Sequence, residues 1–260
     1  MTTVAAPVIE LAILSRPGGR DHNEDACGHW HSDRHLVCVV ADGAGGHGGG
    51  EVAARIAVRH IVERFAAAPV TDPDGVEALL LDTNAAVIRE RIHGTAQAQM
   101  HSTVVGLFID IQRAEALWGH AGDSRLYHFR DGRLVSRTHD HSVVQSMVDA
   151  GVLAPELMRT HPRRSELLSA LGSDPAHLHL SAETSARALL PGDVFLLCTD
   201  GLWEYVDEAE MCRSLADAEH PQAWLAALER AVVDNAAAQH KPRHDNFSGV
   251  SVWFSAADPH

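Results

Sequence analysis

With 260 residues, 45% of them apolar, the chain can bury a full core as one large domain or two small ones. Twenty-one basic residues against 35 acidic ones leave a net charge of −14 with the histidines neutral, a balance that disfavours nucleic acid and anionic membrane as main partners. No apolar run reaches the roughly 18 residues of a membrane span, and residues 1–14 lack the basic start of a secretory leader. Cys27, Cys38, Cys198 and Cys212 form neither a CxxC pair nor a zinc spacing, so a reduced, cytoplasmic setting is expected. The 19 histidines are scattered, without an HExxH, and their number points to no metal chemistry by itself.

Residues 9–15 read as a first strand, closed by Pro17-Gly18-Gly19. Residues 20–25 are a tight run of polar and charged side chains, and a second strand begins over 26–31. Residues 36–41 are apolar throughout and rich in valine, a buried strand that ends on Asp42 and runs into a glycine-rich loop. The spacing predicts a helix over 51–65, then a break at 69–74, with Asp74 as N-cap of a second helix to about Ile92. These two helices are expected to lie antiparallel on one side of a sheet. From Thr103 the rhythm changes to strands at 103–109, 114–119, 125–129 and 134–137, joined by short turns, which implies an antiparallel meander. Residues 139–172 are polar, with short helices at 143–150 and 155–158 and the cations Arg159, Arg163 and Arg164; they read as an inserted flap. Strands return at 178–183 and 194–199, helices at 208–215 and 221–239, and a last strand at 250–254 closes the sheet. No repeat or linker divides the chain, so 1–260 is expected to be one α+β domain with a small flap subdomain.

Four aspartates stand at strand edges: Asp42, Asp123, Asp200 and Asp245. If Asp42, Asp200 and Asp245 converge, they balance most of the charge on two divalent ions about 3.5–4 Å apart, and a water bridging such ions attacks a phosphate ester in line. An all-oxygen ligand set favours Mg²⁺ or Mn²⁺ over Zn²⁺. The alternative is that each aspartate caps a turn or helix on its own. Arg20 offers a fork for two phosphate oxygens, against a surface ion pair with Glu24 or Asp25. Glu24 and Asp25 can hold metal-bound waters, against a solvated acidic turn.

Nine motifs then fall in order: Arg20-x-x-Asn23-Glu24-Asp25, Ala41-Asp42-Gly43-x-Gly45-Gly46-His47, Gly122-Asp123-Ser124-Arg125, Asp140-His141-Ser142, His161-Pro162-x-Arg164, Ala170-Leu171-Gly172, Leu190-Pro191-Gly192-Asp193, Thr199-Asp200-Gly201 and Asp245-Asn246-x-Ser248. With this set the chain resembles the metal-dependent Ser/Thr protein phosphatases of the protein phosphatase 2C type, particularly compact bacterial members. The resemblance implies a four-layer α-β-β-α sandwich of two antiparallel sheets flanked by helices. It implies Asp42 bridging two core metals, the Gly43 carbonyl on one, and Asp200 and Asp245 on the other. Asp123 with Asp200 would hold a third ion, Asn246 would support the ligands, and the flap, with Arg163, Arg164 and Ser165, would influence substrate choice.

The chain departs from the family at three places. Ala44 stands where some members carry a histidine proposed as general acid, which leaves water or His47 for that proton. His101 precedes Ser102-Thr103 where Gly-Thr-Thr is common, and Ser165, Leu168 and Ser169 are atypical in the flap. The implied activity is hydrolysis of phosphoserine and phosphothreonine in proteins, the substrates of a bacterial Ser/Thr kinase, with regulation of a secretion system as one setting. The competing readings are a catalytically inactive phosphoprotein-binding relative and a small-molecule phosphomonoesterase. A cysteine phosphatase is disfavoured, because Cys-x5-Arg is absent: Asp33, Ala44, Glu204 and Ala218 occupy the arginine position.

Overall fold

Two stretches of this chain are apolar on nearly every residue because both of their faces are covered. In the computed structural model, which describes residues 8–45 and 49–255, the side chains of Leu36, Cys38 and Val40 enter one buried cluster, and those of Val37, Val39 and Ala41 enter another. Side chains alternate along a strand, so a strand with two buried faces loses its polar alternation. The stretch ending at Cys198 behaves alike: Phe195 and Leu197 face one cluster, Val194, Leu196 and Cys198 another.

In chain order the first half comprises β1 (Val8–Arg16), β2 (Asp25–His31), β3 (His35–Ala44), α1 (Gly49–Ala67), α2 (Pro73–Arg89), β4 (His101–Ser102), β5 (Val104–Asp110), β6 (Glu115–Ala121), β7 (Arg125–Arg130) and β8 (Arg133–Arg137). The second half adds α3 (Val143–Asp149), β9 (Ser181–Ala182), β10 (Arg187–Ala188), β11 (Asp193–Cys198), α4 (Asp200–Trp203), α5 (Glu208–Ala216), α6 (Pro221–Ala238) and β12 (Phe247–Ser255). One sheet runs β1-β12-β11-β7-β8, the other β10-β6-β5-β3-β2, with β4 and β9 on the borders of the second; all pairs are antiparallel. The sheets share a core that includes Trp118, Leu126, Phe195 and Val252. Helices α1 and α2 cover the outer face of the β3 sheet, and α4, α5 and α6 that of the β11 sheet. The four layers are therefore α-β-β-α, as the resemblance implies.

Several local expectations need correction. Helix α2 is capped by Asp72, whose side chain accepts the Gly75 N–H at 2.8 Å, and it ends at Arg89. Pro73 takes the first helical position, which it favours, and Asp74 falls inside the first turn. The strand expected over 178–183 shrinks to Ser181–Ala182, because only that pair reaches the edge of β6. The meander is not one sheet: β6 and β7 belong to different sheets, and Gly122, at φ +99°, turns the chain across the sandwich. The strand at 194–199 also gives way one residue early, to the four-residue helix α4 that starts on Asp200. Asp193, from the Leu190-Pro191-Gly192-Asp193 motif, is fully buried and binds His128, Arg130 and the Leu190 N–H. It is a structural clasp.

Phe195 is 0% exposed between the sheets, stacked 4.7 Å from the His128 ring. Phe195→Ala is expected to cost about 3–5 kcal/mol in urea unfolding. A loss below about 1 kcal/mol would contradict the two-sheet core.

Candidate metal centre

The alternation that sends Leu36, Cys38 and Val40 between the sheets continues to Asp42, one step past the apolar core. Asp25 stands opposite it in register on β2. The Asp42 backbone is clamped: its N–H donates to Thr103 Oγ1 at 2.9 Å, and its carbonyl accepts from Thr103 N at 2.8 Å and Ser102 Oγ at 3.0 Å. Thr199, at the end of β11, donates its hydroxyl to Asp25 Oδ2 at 2.9 Å and hands the chain to Asp200. Asp245 and Asn246 precede β12. Asn246 ties its own loop to the β1–β2 loop at three points, donating to Pro17 O and His22 O, both at 2.8 Å, and accepting the Glu24 N–H at 2.9 Å. Asp123 lies in the β6–β7 crossover, where Trp203 Nε1 donates to its carbonyl at 2.9 Å. That indole lies 3.5 Å under the Arg125 guanidinium, which Asp140 grips at 2.8 and 2.7 Å.

The carboxylates feel one another strongly. Burial, then the charges of Asp25, Asp200, Asp123 and Asp245, hold Asp42 well above the usual carboxylate range. Burial, then Asp123, Glu204, Asp245 and Asp25, do the same to Asp200. Asp25 is pushed up to about 7 by burial, against hydrogen bonds from Ser248 and Thr199. Asp123 reaches about 7 through burial and the charge of Asp140, despite Arg125. Oδ1 of Asp25 and Oδ1 of Asp200 are buried with no hydrogen-bond partner. Like charges packed together with orphaned oxygens are costly unless a cation joins them. The set is all oxygen, which fits a hard divalent ion. Among the described residues no group of three His, Cys, Asp or Glu side chains is placed to hold a metal ion by itself, so waters would complete the shell of Mg²⁺ or Mn²⁺, which keep several of theirs.

Gly43 allows the close packing at this strand end. A Cβ there would collide with the Gly50 carbonyl at the start of α1 and crowd the Glu24 carbonyl, to which the Gly43 N–H donates at 3.2 Å.

The expected residues divide as follows. The charges of Asp123, Asp200 and Asp245 all reach Asp42, and Asp25 is buried opposite it, not in a solvated turn. Glu24 contributes through its backbone, and Asn246 through the contacts above. Arg20 neither pairs with Glu24 nor with Asp25: its Nη2 lies 2.9 Å from Asp245 Oδ2, with about half of each side chain exposed. Arg164 Nε sits 2.7 Å from Glu204, a charge contact off the line of a good hydrogen bond, and with Ser165 it lines the cleft of about 280 Å³ beside Asp200 and Asp245. Arg163 does not reach the site; it pairs with Glu166 on the flap at 2.7 Å. His47 lies outside the described residues. Thr103, Thr199, Trp203 and Glu204 escape sequence reasoning. Of these, only Thr199 and Thr103 carry a signal, through their place beside family motifs.

The family model described as protein phosphatase 2C matches residues 18–240. The serine/threonine phosphatase stp of Listeria innocua is 31% identical over 196 residues, 74% of this chain and 77% of that protein. Among solved structures, the catalytic domain of the serine threonine protein phosphatase PstP in complex with two manganese ions has a TM-score of 0.78 at 25% identity, covering 96% of this chain and 99% of its own. PppA, a key regulatory component of the T6SS in Pseudomonas aeruginosa, has a TM-score of 0.72 at 28% identity, covering 95% and 97%.

The charge cluster predicts a sign. The folded pKa of Asp42 lies above its unfolded value of about 3.9, so its ionisation costs stability increasingly as pH rises above that value. In EDTA, Asp42→Asn is expected to raise the melting temperature at pH 8 by roughly 2–8 °C and to change it little at pH 4. A variant that melts below its parent at pH 8 would show that the cluster is not under repulsion.

Proposed function

The chain belongs to the protein phosphatase 2C family, and from that premise we propose that the carboxylate cluster is its metal centre and that the cleft beside it receives the phosphorylated residue. The activity is that of a metal-dependent protein serine/threonine phosphatase. The observation that carries the reading of the site is the meeting of Asp25, Asp42, Asp123, Asp200 and Asp245, from five separate elements, with buried oxygens left unpartnered.

Mn²⁺ or Mg²⁺ bound there supplies activation of water and offsets the charge that builds on the phosphoryl group. Asp42, which the charges of the others reach, would serve two ions, with the Gly43 carbonyl beside it. Asp200 and Asp245 would hold one ion of the pair, and Asp123 with Asp200 a further ion. Glu24 and Asp25 orient the waters. Arg20 spends one nitrogen on Asp245 and keeps the rest of its fork for two phosphate oxygens at the cleft mouth. Ala44 offers no proton to the leaving alkoxide, which leaves that step to solvent or to His47.

Substrates are phosphoserine and phosphothreonine proteins. The proposal extends to substrates of a Ser/Thr kinase in the cytoplasm, where Cys27, Cys38, Cys198 and Cys212 stay as free thiols. The likeness to PppA supports control of a secretion apparatus as one setting. Among the described residues no helix is long and apolar enough to cross a membrane.

Hydrolysis of a phosphothreonine peptide should require Mn²⁺ and cease in EDTA. Asp245→Asn should lower kcat by about 10²–10³, and Arg20→Ala should lower kcat/KM by about 10–100-fold, mainly through KM. Full turnover in EDTA would overturn the metal centre. For the wider role, phosphoproteomics of a deletion strain should show a set of Ser/Thr sites that stay phosphorylated.

A further inference from the structure

Helix α6 ends in a way that presents a short basic segment to the cleft. His240 takes a left-handed φ of 55°, its N–H donating to Ala237 O at 3.0 Å, while Lys241 N donates to Ala236 O at 3.0 Å. This paired helix end is usually built on glycine, and a histidine holds it in a conformation side chains rarely adopt. Pro242 stops any helical continuation. From the other side the loop carrying Arg20 braces the segment: Gly19 donates its N–H to His244 O at 3.0 Å and leaves no room for a Cβ against Pro242 and Arg243.

Lys241 is the one lysine in 260 residues. Its ammonium lies 5.4 Å from the Tyr205 ring centroid. Four cations line the cleft, of which Arg20 and Arg164 are engaged by Asp245 and Glu204. Among the described residues Lys241 and Arg243 have no ion-pair partner. Lys241, Pro242 and His244 also line a second hollow on their far side, an open groove of about 520 Å³ along the last turns of α6, with Val233, Ala236 and Ala237 on its apolar wall. Val233 is 48% exposed there. Lys241, Pro242 and His244 thus border both the cleft and the groove.

Resting on the reading of this chain as a protein phosphatase, we propose that residues 240–244 are a substrate-reading ridge. The polypeptide that carries the phosphorylated residue crosses it, an acidic residue meets Lys241 and Arg243, and an apolar side chain beyond enters the groove at Val233 and Ala237. The charge balance supports this direction. A chain of net charge −14 must draw in an anionic partner, and two cations held in no ion pair at the site mouth, Lys241 within reach of the Glu204 charge, supply local attraction. The groove has no use for a small phosphate ester.

The test takes the 260-residue chain with Mn²⁺ and phosphothreonine peptides of equal length. One set carries glutamates beside the phosphoresidue and a leucine beyond them, on the N-terminal or the C-terminal side. Matched sets replace the glutamates by lysines, or the leucine by serine. On one side the glutamate–leucine peptide should be hydrolysed with kcat/KM about tenfold above its lysine counterpart, mainly through KM, the scale on which rim charges act. In K241E/R243E that order should reverse, a result misfolding cannot mimic. In A237E, which puts a charge into the groove, the leucine preference should vanish while the glutamate-over-lysine ratio remains. Equal kcat/KM across the peptide sets, or a preference that survives K241E/R243E, overturns the ridge. Failure of every peptide, with p-nitrophenyl phosphate also untouched, overturns the phosphatase reading and the ridge with it.

Discussion

Repulsion among buried carboxylates is the constraint around which this molecule is arranged. Asp25, Asp42, Asp123 and Asp200 are all held above their ordinary ionisation range, first by burial and then by the charges of neighbouring acids. A fold does not gather such a cluster for stability, since each charge added to the group raises the cost of the next. It gathers them where a cation repays the cost, and the rest of the structure supplies the rigidity that keeps the acids from swinging apart. Thr103 holds both ends of the Asp42 peptide, Asn246 joins the loops before β2 and β12, and Trp203 holds the Asp123 carbonyl. The buried Arg125–Asp140 pair stacked on Trp203 serves that same purpose at one remove.

The sandwich explains why the acids meet where they do. Strands β3 and β11 are interior to their sheets and apolar on both faces; β3 carries Asp42-Gly43 near its end, and Asp200-Gly201 follows just after β11. Two sheets packed face to face make a long dry core and a narrow mouth at its end. Residues one step beyond the core face each other across that mouth. Helix α1 begins against the same mouth, with Gly43 and Gly50 in backbone contact.

Much of this was legible in the residues. The double-faced burial of 36–41 and 194–198 shows as unbroken apolar runs, and an aspartate at the end of such a run is conspicuous. What stayed hidden depends on tertiary neighbours. Asp25 looks like one more charge in a polar turn until its register opposite Asp42 is known. Glu204 gains its place only because Asp200 opens a helical turn that carries it back to the cleft. Asp74 has the right residue type for a cap, yet Asp72 wins because Pro73 prefers the first helical position. The strands 114–119 and 125–129 have the spacing of a hairpin, and nothing local says that Gly122 sends the second of them to the opposite sheet. The guanidinium of Arg20 suggests a phosphate ligand, but its contact with Asp245 joins residues 225 positions apart, which no local pattern shows.

The account stands on divalent ions occupying the space that these acids enclose. Anomalous scattering from crystals soaked in Mn²⁺ addresses that directly. Two peaks about 3.5–4 Å apart, with Asp42, Asp200 and Asp245 oxygens about 2.0–2.4 Å from them, are the expected result. Saturating Mn²⁺ that scatters elsewhere on the protein while leaving Asp42 without a metal neighbour would contradict it.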